Sequence, residues 1–282
     1  MQYREPVTDL IRRRRSWRSY SDEAVSADQM GQISSFIESL DPPPFGTRLR
    51  FSLVEAHLPE KKHMPGTYGV VKGARNILVG ALKPSPMDFE DFGYSFEAII
   101  LFCTQLGLGT CWMGGTFNRS LFGRKIDLGP DEVIPAVSPV GKPLAARSVL
   151  DSLFALSAGS KDRKAFSERF FINSLLSPLN EEQAGRYREA LEMVRLAPSA
   201  TNRQPWRVVL KDGSHHFFLA RTTGYSRIFS GVDLQRVDMG IAMFHFEAAA
   251  RQLNLPGKWQ KLDESHGIFC PRGVEYRASW VV

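Results

Sequence analysis

Gln105-Leu106-Gly107-Leu108-Gly109 and Gln252-Leu253-Asn254-Leu255-Pro256 lie about half a chain apart in a sequence of 282 residues, and each closes a long segment with an apolar stripe. Ahead of the first, Phe92, Phe96, Ile99, Ile100, Cys103 and Leu106 recur at the spacing of one helix face, and the glycines end that helix. Ahead of the second, a helix over 234–253 carries Val237, Ile241, Phe244 and Ala248 on one face. Further upstream, Ser26 with Gln29 forms a capping box for a helix facing inward through Met30, Ile33, Ile37 and Leu40. Asn180 with Gln183 repeats the device before Ala184, Tyr187, Leu191 and Val194. The first of these helices stops at Leu40-Asp41-Pro42 and the second at Leu196-Ala197-Pro198. Identity between the halves is weak, but the landmarks come in the same order at the same interval, the signature of a duplicated unit.

Strands fill the intervals. In the first half they are expected at 51–56, at 76–82 and in the apolar run 134–140. In the second half they fall at 206–210, at 217–220 after the Asp212-Gly213 turn, and at 274–282, where alternation predicts a half-buried strand. A short helix over 8–15, capped by Thr8, precedes everything, with Leu10 and Ile11 facing inward. The polar stretch 157–164 reads as a surface connector, so the halves are taken as 1–159 and 160–282.

Composition narrows the function. A chain that is 43% hydrophobic and 23% charged folds rather than remaining disordered. No apolar stretch approaches the ~18 residues of a membrane span, and the arginine-rich beginning lacks the apolar core of a signal peptide. Cys103, Cys111 and Cys270 are odd in number and show no C-x-x-C spacing, which fits a reducing, cytoplasmic setting without a disulfide framework. None of the six histidines has metalloprotease spacing, so no metal site is expected. The net charge of +6 is compatible with nucleic acid, a membrane surface or a small phosphorylated ligand. The arginines concentrate at 12–15 instead of spreading along a helix face with interleaved aromatics, which argues against nucleic acid.

Three segments carry chemistry. In Arg14-Arg15-Ser16-Trp17-Arg18-Ser19-Tyr20, guanidinium groups and a hydroxyl can hold a phosphate, although on these residues alone a solvated basic surface is the default. In Ala197-Pro198-Ser199-Ala200-Thr201-Asn202-Arg203-Gln204-Pro205-Trp206, amides and hydroxyls between two prolines can meet the polar edge of a flat heterocycle. The third, Gly107–Thr116, has glycines that let backbone N–H groups approach a ligand, but it lacks the order of a dinucleotide fingerprint.

Together and in this order, the three segments resemble the FMN-dependent nitroreductase family over nearly the whole chain. The likeness is greatest to the Thermotoga-type branch, in which one chain contains both halves of the usual dimer. The resemblance implies an α+β fold: two diverged half-repeats, each a mixed, largely antiparallel sheet flanked by helices, with terminal segments exchanged, forming an internal pseudo-dimer. It places Arg14, Arg15 and Ser16 on the FMN phosphate and ribityl chain, and Arg18 beside N1 and O2 of the flavin. Ser199, Asn202 and Gln204 come to the ring or ribityl from the other half, the backbone of Gly114 and Gly115 lies near N5, and Arg147 makes a second phosphate contact. Only Pro42-Pro43-Pro44-Phe45-Gly46 stands where the first half's polar loop belongs. The second half's arginine-serine motif, around Arg163–Phe171, is degraded, and Leu253-Asn254-Leu255-Pro256-Gly257 replaces its glycine-rich turn. The losses are complementary, which implies one FMN per chain and a site complete without a second copy.

The implied activity is ping-pong transfer of hydride from NADH or NADPH through FMN to nitroaromatic or quinone-like acceptors, small molecules reached without nucleic acid or membrane. The flavin does the chemistry and no catalytic side chain is assigned. Two other outcomes fit the same residues: a different flavin chemistry on this fold, and a flavin-binding sensor or store without turnover.

Overall fold

Asn76–Leu82 is a strand, buried along its full length. The computed structural model describes residues 3–55, 64–144, 162–224, 231–262 and 267–282. Counting strands and helices along the chain, β2 (Asn76–Leu82) pairs antiparallel with β1 (Leu49–Glu55) and with β4 (Val137–Gly141), and β4 carries β3 (Gly109–Thr110) on its other edge. The second sheet is built from β5 (Phe170–Ile172), β6 (Trp206–Lys211), β7 (Ser214–Ala220), β8 (Lys258–Gln260) and β9 (Val274–Val281), in the order β5-β6-β7-β9-β8. Without β5 the two orders coincide: β1-β2-β4-β3 and β6-β7-β9-β8. The duplication visible in the landmarks is thus a duplication of topology. β5 adds to β6 in parallel, so it extends the sheet of the second half, to which it belongs, and is not exchanged between the halves.

The helices follow the same plan. In the first half α1 (Val7–Arg13) and α2 (Ala27–Glu38) precede α3 (Asp88–Gln105), with the short α4 (Arg119–Lys125) after it; in the second half α5 (Arg188–Leu196) precedes α6 (Leu234–Gln252). α3 and α6 cross at the seam between the halves. Gly93 and Gly240, separated by the interval that separates Leu106 from Leu253, sit at the crossing. A Cβ on Gly93 would enter the carbonyl of Val237, and one on Gly240 would enter the carbonyl of Glu90. Glu90 and Val237 are themselves related by that interval, so each helix presents to the other what it receives, the mark of an isologous contact. Only glycine allows backbones this close. Beside the crossing the buried Glu90 of α3 accepts from Arg236 of α6 at 2.7 Å and from Arg277 of β9 at 2.7 Å, so the seam is polar on one flank. A buried carboxylate needs such partners.

Three sequence expectations change. Pro6, not Thr8, precedes α1, and Thr8 is buried within it. Asn180 and Gln183 do bond reciprocally, at 3.1 and 2.7 Å, but no α-helix follows at once. Gly185 has φ +53°, the chain makes one 3₁₀ turn over Gly185–Tyr187, and the helix begins at Arg188. The last strand does not alternate: Ala278, Ser279 and Trp280 are buried in succession because β9 is central and covered on both faces. Trp280 belongs to the chain's own core and donates from Nε1 to the Pro256 carbonyl at 3.1 Å. The short strands β5 and β8 were not foreseen; three residues are too few to display a period.

Candidate functional site

After α1 the chain turns into an extended arm. Trp17 N–H donates to the Thr110 carbonyl at 2.8 Å, Lys72 N–H donates to Arg18 at 2.8 Å, and Tyr20 N–H donates to Lys72 at 2.9 Å. These backbone bonds fix the arm along β3, and from it Arg14, Arg15, Ser16 and Arg18 line a cleft of about 1210 Å³. The opposite wall is second-half sequence: Pro198–Asn202, Leu234, Val237, Asp238 and Ile241. The cleft therefore exists only because the two halves meet.

One end is strongly cationic. Arg12, Arg14, Arg15, Arg18 and Arg163 line it, against Asp238 as the acidic residue among those described. Arg14 is 7% exposed; its Nε lies 3.8 Å from Glu97, and its Nε and Nη1 have no hydrogen-bond partner. Arg163 donates to the Ala197 carbonyl at 2.9 Å and to Asn202 Oδ1 at 3.0 Å. Burial, with Arg14, Arg195 and Arg15 nearby, pushes its guanidinium down to about 10. Like charges packed this way, with buried donors left open, want an anion between them. Arg163 was read as a remnant of the second half's own phosphate motif. The structure instead seats it on the second half's polar loop, from which it lines the same cleft as Arg14.

The polar loop lies beside Arg163. Thr201, Asn202 and Gln204 have φ of +48°, +54° and +50°, left-handed values that cost a non-glycine residue about 1–3 kcal/mol unless held. Gln204 holds them. Fully buried, it accepts from Lys164 N–H at 3.0 Å, donates to the Asp162 carbonyl at 3.1 Å, and gives its backbone N–H to Ser199 Oγ at 2.9 Å. It shapes the loop from beneath and does not line the cleft, as Ser199 and Asn202 do.

Elsewhere the walls are apolar. Trp112 stands over the cleft, its Nε1 donating to Glu97 at 2.7 Å; Glu97 also meets His245 Nε2 at 3.0 Å, and His245 Nδ1 is 2.9 Å from the Met193 carbonyl. Gly114 lines the cleft, and a Cβ there would push into the Leu234 side chain from the other half, which would have to shift. Gly115 is not among the lining residues, and Arg147 lies outside the described residues.

Asp238 was not foreseen. It is the counterpart of Asp91 by the same interval, and the two differ in their partners. Asp91 accepts from Phe45 N–H at 3.0 Å and Thr47 N–H at 2.9 Å, one bond to each oxygen. Asp238 accepts only from Ala200 N–H at 2.9 Å, and its Oδ2 is buried without a partner. Burial raises both carboxyls, that of Asp238 well above the usual range. The signal in the sequence was the repetition of Asp91 and Asp238 two residues before Gly93 and Gly240.

Against known proteins, the family model described as "Putative TM nitroreductase" matches residues 6–250. The chain belongs to this family. Among solved structures, this nitroreductase-family chain is similar to one described as a putative nitroreductase from Thermotoga maritima, with a TM-score of 0.62 at 20% identity, covering 100% of this chain and 95% of that one. That likeness establishes a shared fold along the full length. It also matches a nitroreductase family protein from Clostridium novyi (TM-score 0.41, 18% identity, 52% of this chain and 91% of that one). Another match is a putative nitroreductase in complex with FMN from Desulfovibrio desulfuricans (TM-score 0.39, 25% identity, 54% and 96%). No curated protein matches the sequence.

Proposed function

We propose that the cleft holds one FMN and that the chain is an oxidoreductase passing hydride from NADH or NADPH to nitroaromatic or quinone-like acceptors, which alternate in one site. Membership of a nitroreductase family supports redox chemistry. The observation that carries the reading is one cleft lined by an arginine cluster, a polar loop and apolar side chains, drawn from both halves. When bound, FMN supplies the acceptance and donation of hydride.

The residues divide the work by position. Arg14, with its open Nε and Nη1, together with Arg15, Ser16 and Arg163 would hold the phosphate. Ser199 and Asn202 would meet the ribityl chain or the ring edge from the loop that Gln204 braces. Arg18 adds positive charge along the arm, which favours a ligand that becomes anionic on reduction. Leu234, Val237, Ile241 and Trp112 exclude water from the middle of the cleft. Burial raises the Asp238 carboxyl well above the usual range, which lessens its repulsion of a bound anion. The halves, taken as 1–159 and 160–282, complete the site without a second copy.

The first test is the absorbance of purified protein and the identity of the chromophore released by heat. One FMN per chain, with NADH or NADPH oxidation stimulated by nitrofurazone, is expected. Protein that is colourless and does not take up added FMN would refute the reading, whereas tight FMN without nucleotide oxidation would leave a flavin-binding protein in its place.

A further inference from the structure

The α3–α6 crossing has a second flank, and a second cleft of about 870 Å³ opens there. Its lining follows the duplication in part. Trp259 stands in the place of Trp112 and Tyr94 in the place of Ile241, both by the interval that relates Gly93 to Gly240, and Pro42 opens the proline loop that answers to Pro198. The two clefts thus share a tryptophan and one helix position by the duplication, and the rest of their lining differs.

Charge changed first. Glu5, Asp41 and Glu247 line it, with Arg251 and Lys258 as the cations. Arg251 Nε donates to Glu247 at 2.6 Å, and Glu247 also accepts from Tyr94 Oη at 2.7 Å. Among the described residues, no arginine cluster comparable to that of Arg14 and Arg163 lines this side, so they offer a phosphorylated ligand no clamp.

The hydrogen bonding changed as well. Trp112 donates to Glu97, but at the position of Glu97 the second half has Phe244. Trp259, 8% exposed, is left with Nε1 buried and without a partner. A buried donor in this state loses the hydrogen bonds it would make in water. Tyr94 and Phe244 supply aromatic surface, edge to face with ring centroids 5.1 Å apart.

We propose that this second cleft binds an uncharged, planar heteroaromatic compound without phosphate, whose carbonyl or ring-nitrogen acceptor meets Trp259 Nε1. Its planar body lies along Tyr94 and Phe244. The proposal does not depend on FMN in the first cleft.

The probe is lumichrome, a neutral tricyclic heteroaromatic, titrated into the full chain under saturating FMN and followed by its own fluorescence anisotropy. One lumichrome per chain is expected in the presence of FMN. Trp259→Phe, which keeps the ring and removes the donor, should weaken binding about fivefold to tenfold. Ala248→Phe, which fills the cleft from the partly exposed face of α6, should abolish it. Each variant is checked for an unchanged circular dichroism spectrum. Displacement of lumichrome by FMN, absence of saturable binding, or parental affinity in both folded variants would overturn the proposal. A chain that takes no FMN but binds lumichrome in a Trp259-dependent way would sink the flavin reading and leave this one standing.

Discussion

The two clefts share a helix crossing and a tryptophan, and differ in almost everything a ligand would feel. The first has five arginines and a tryptophan whose N–H is satisfied by Glu97; the second has carboxylates tied to their own cations and a tryptophan whose N–H is orphaned beside Phe244. The same contrast separates Asp238 from Asp91: the proline loop of the first half satisfies both oxygens of its aspartate, and the polar loop of the second half satisfies one. Duplication supplied two equal frames. The frame is kept by backbone contacts at glycine, while the side chains around it are free to diverge.

The comparison breaks most severely at the frame. Gly240→Ala puts a methyl group into the Glu90 carbonyl and should cost roughly 3 kcal/mol or more, seen as a fall of several degrees in thermal midpoint and impaired binding in both clefts. A midpoint within a degree of the parent would mean that the helices do not cross there. Arg18→Ala is narrower in reach, touching one ligand and leaving the frame intact. One positive charge near the ring is worth up to ~4 kcal/mol at an effective dielectric near 20, on the order of 90 mV for a two-electron couple, so redox titration should find the bound flavin's potential lowered. Arg251→Ala, in the other cleft, should leave the potential where it was.

Arg14→Ala removes a buried guanidinium with open donors and should weaken FMN by about tenfold to a hundredfold in a fluorescence titration, for a loss of ~1.5–3 kcal/mol. Lys258→Ala should not change FMN affinity; equal losses in the two variants would erase the distinction between the clefts. The smallest expected effect concerns Asp238. Its folded carboxyl titrates above the unfolded one, so between those two values the folded chain carries a proton that the unfolded chain has released. Stability therefore falls as pH rises through that window, by at most about 1.4 kcal/mol per pH unit, and Asp238→Asn should remove the slope while Ala200 N–H keeps its acceptor. Urea denaturation of the FMN-free protein at several pH values reads this directly; a parallel pH profile in parent and variant would refute it.

Much of the fold was legible because it rests on period and punctuation. β2 and α6 fall where the apolar pattern and the bounding glycines and prolines put them, and the capping box at Ser26 and Gln29 is made with bonds of 3.2 and 3.1 Å. The failures have local causes. The box at Asn180 forms, yet Gly185 in a left-handed conformation delays the helix, and a capping pair cannot report what comes five residues later. At the site, residue type identified the cationic arm and the polar loop, because guanidinium groups and amides advertise their chemistry. It did not separate Gln204, which braces the loop, from Asn202, which lines the cleft, since both are amides in one segment. Nor did it reveal that Arg163 lines the same cleft as Arg14: its bonds to Ala197 and Asn202 are tertiary facts with no signature in spacing.

Because Gly93 and Gly240 belong to one polypeptide, the crossing between them is a unimolecular contact. Two subunits meeting at such a surface would separate on dilution and release whatever they enclosed, but a tether fixes the local concentration of each partner for the other. Occupancy of either cleft should then depend on ligand alone and stay the same from micromolar down to nanomolar protein.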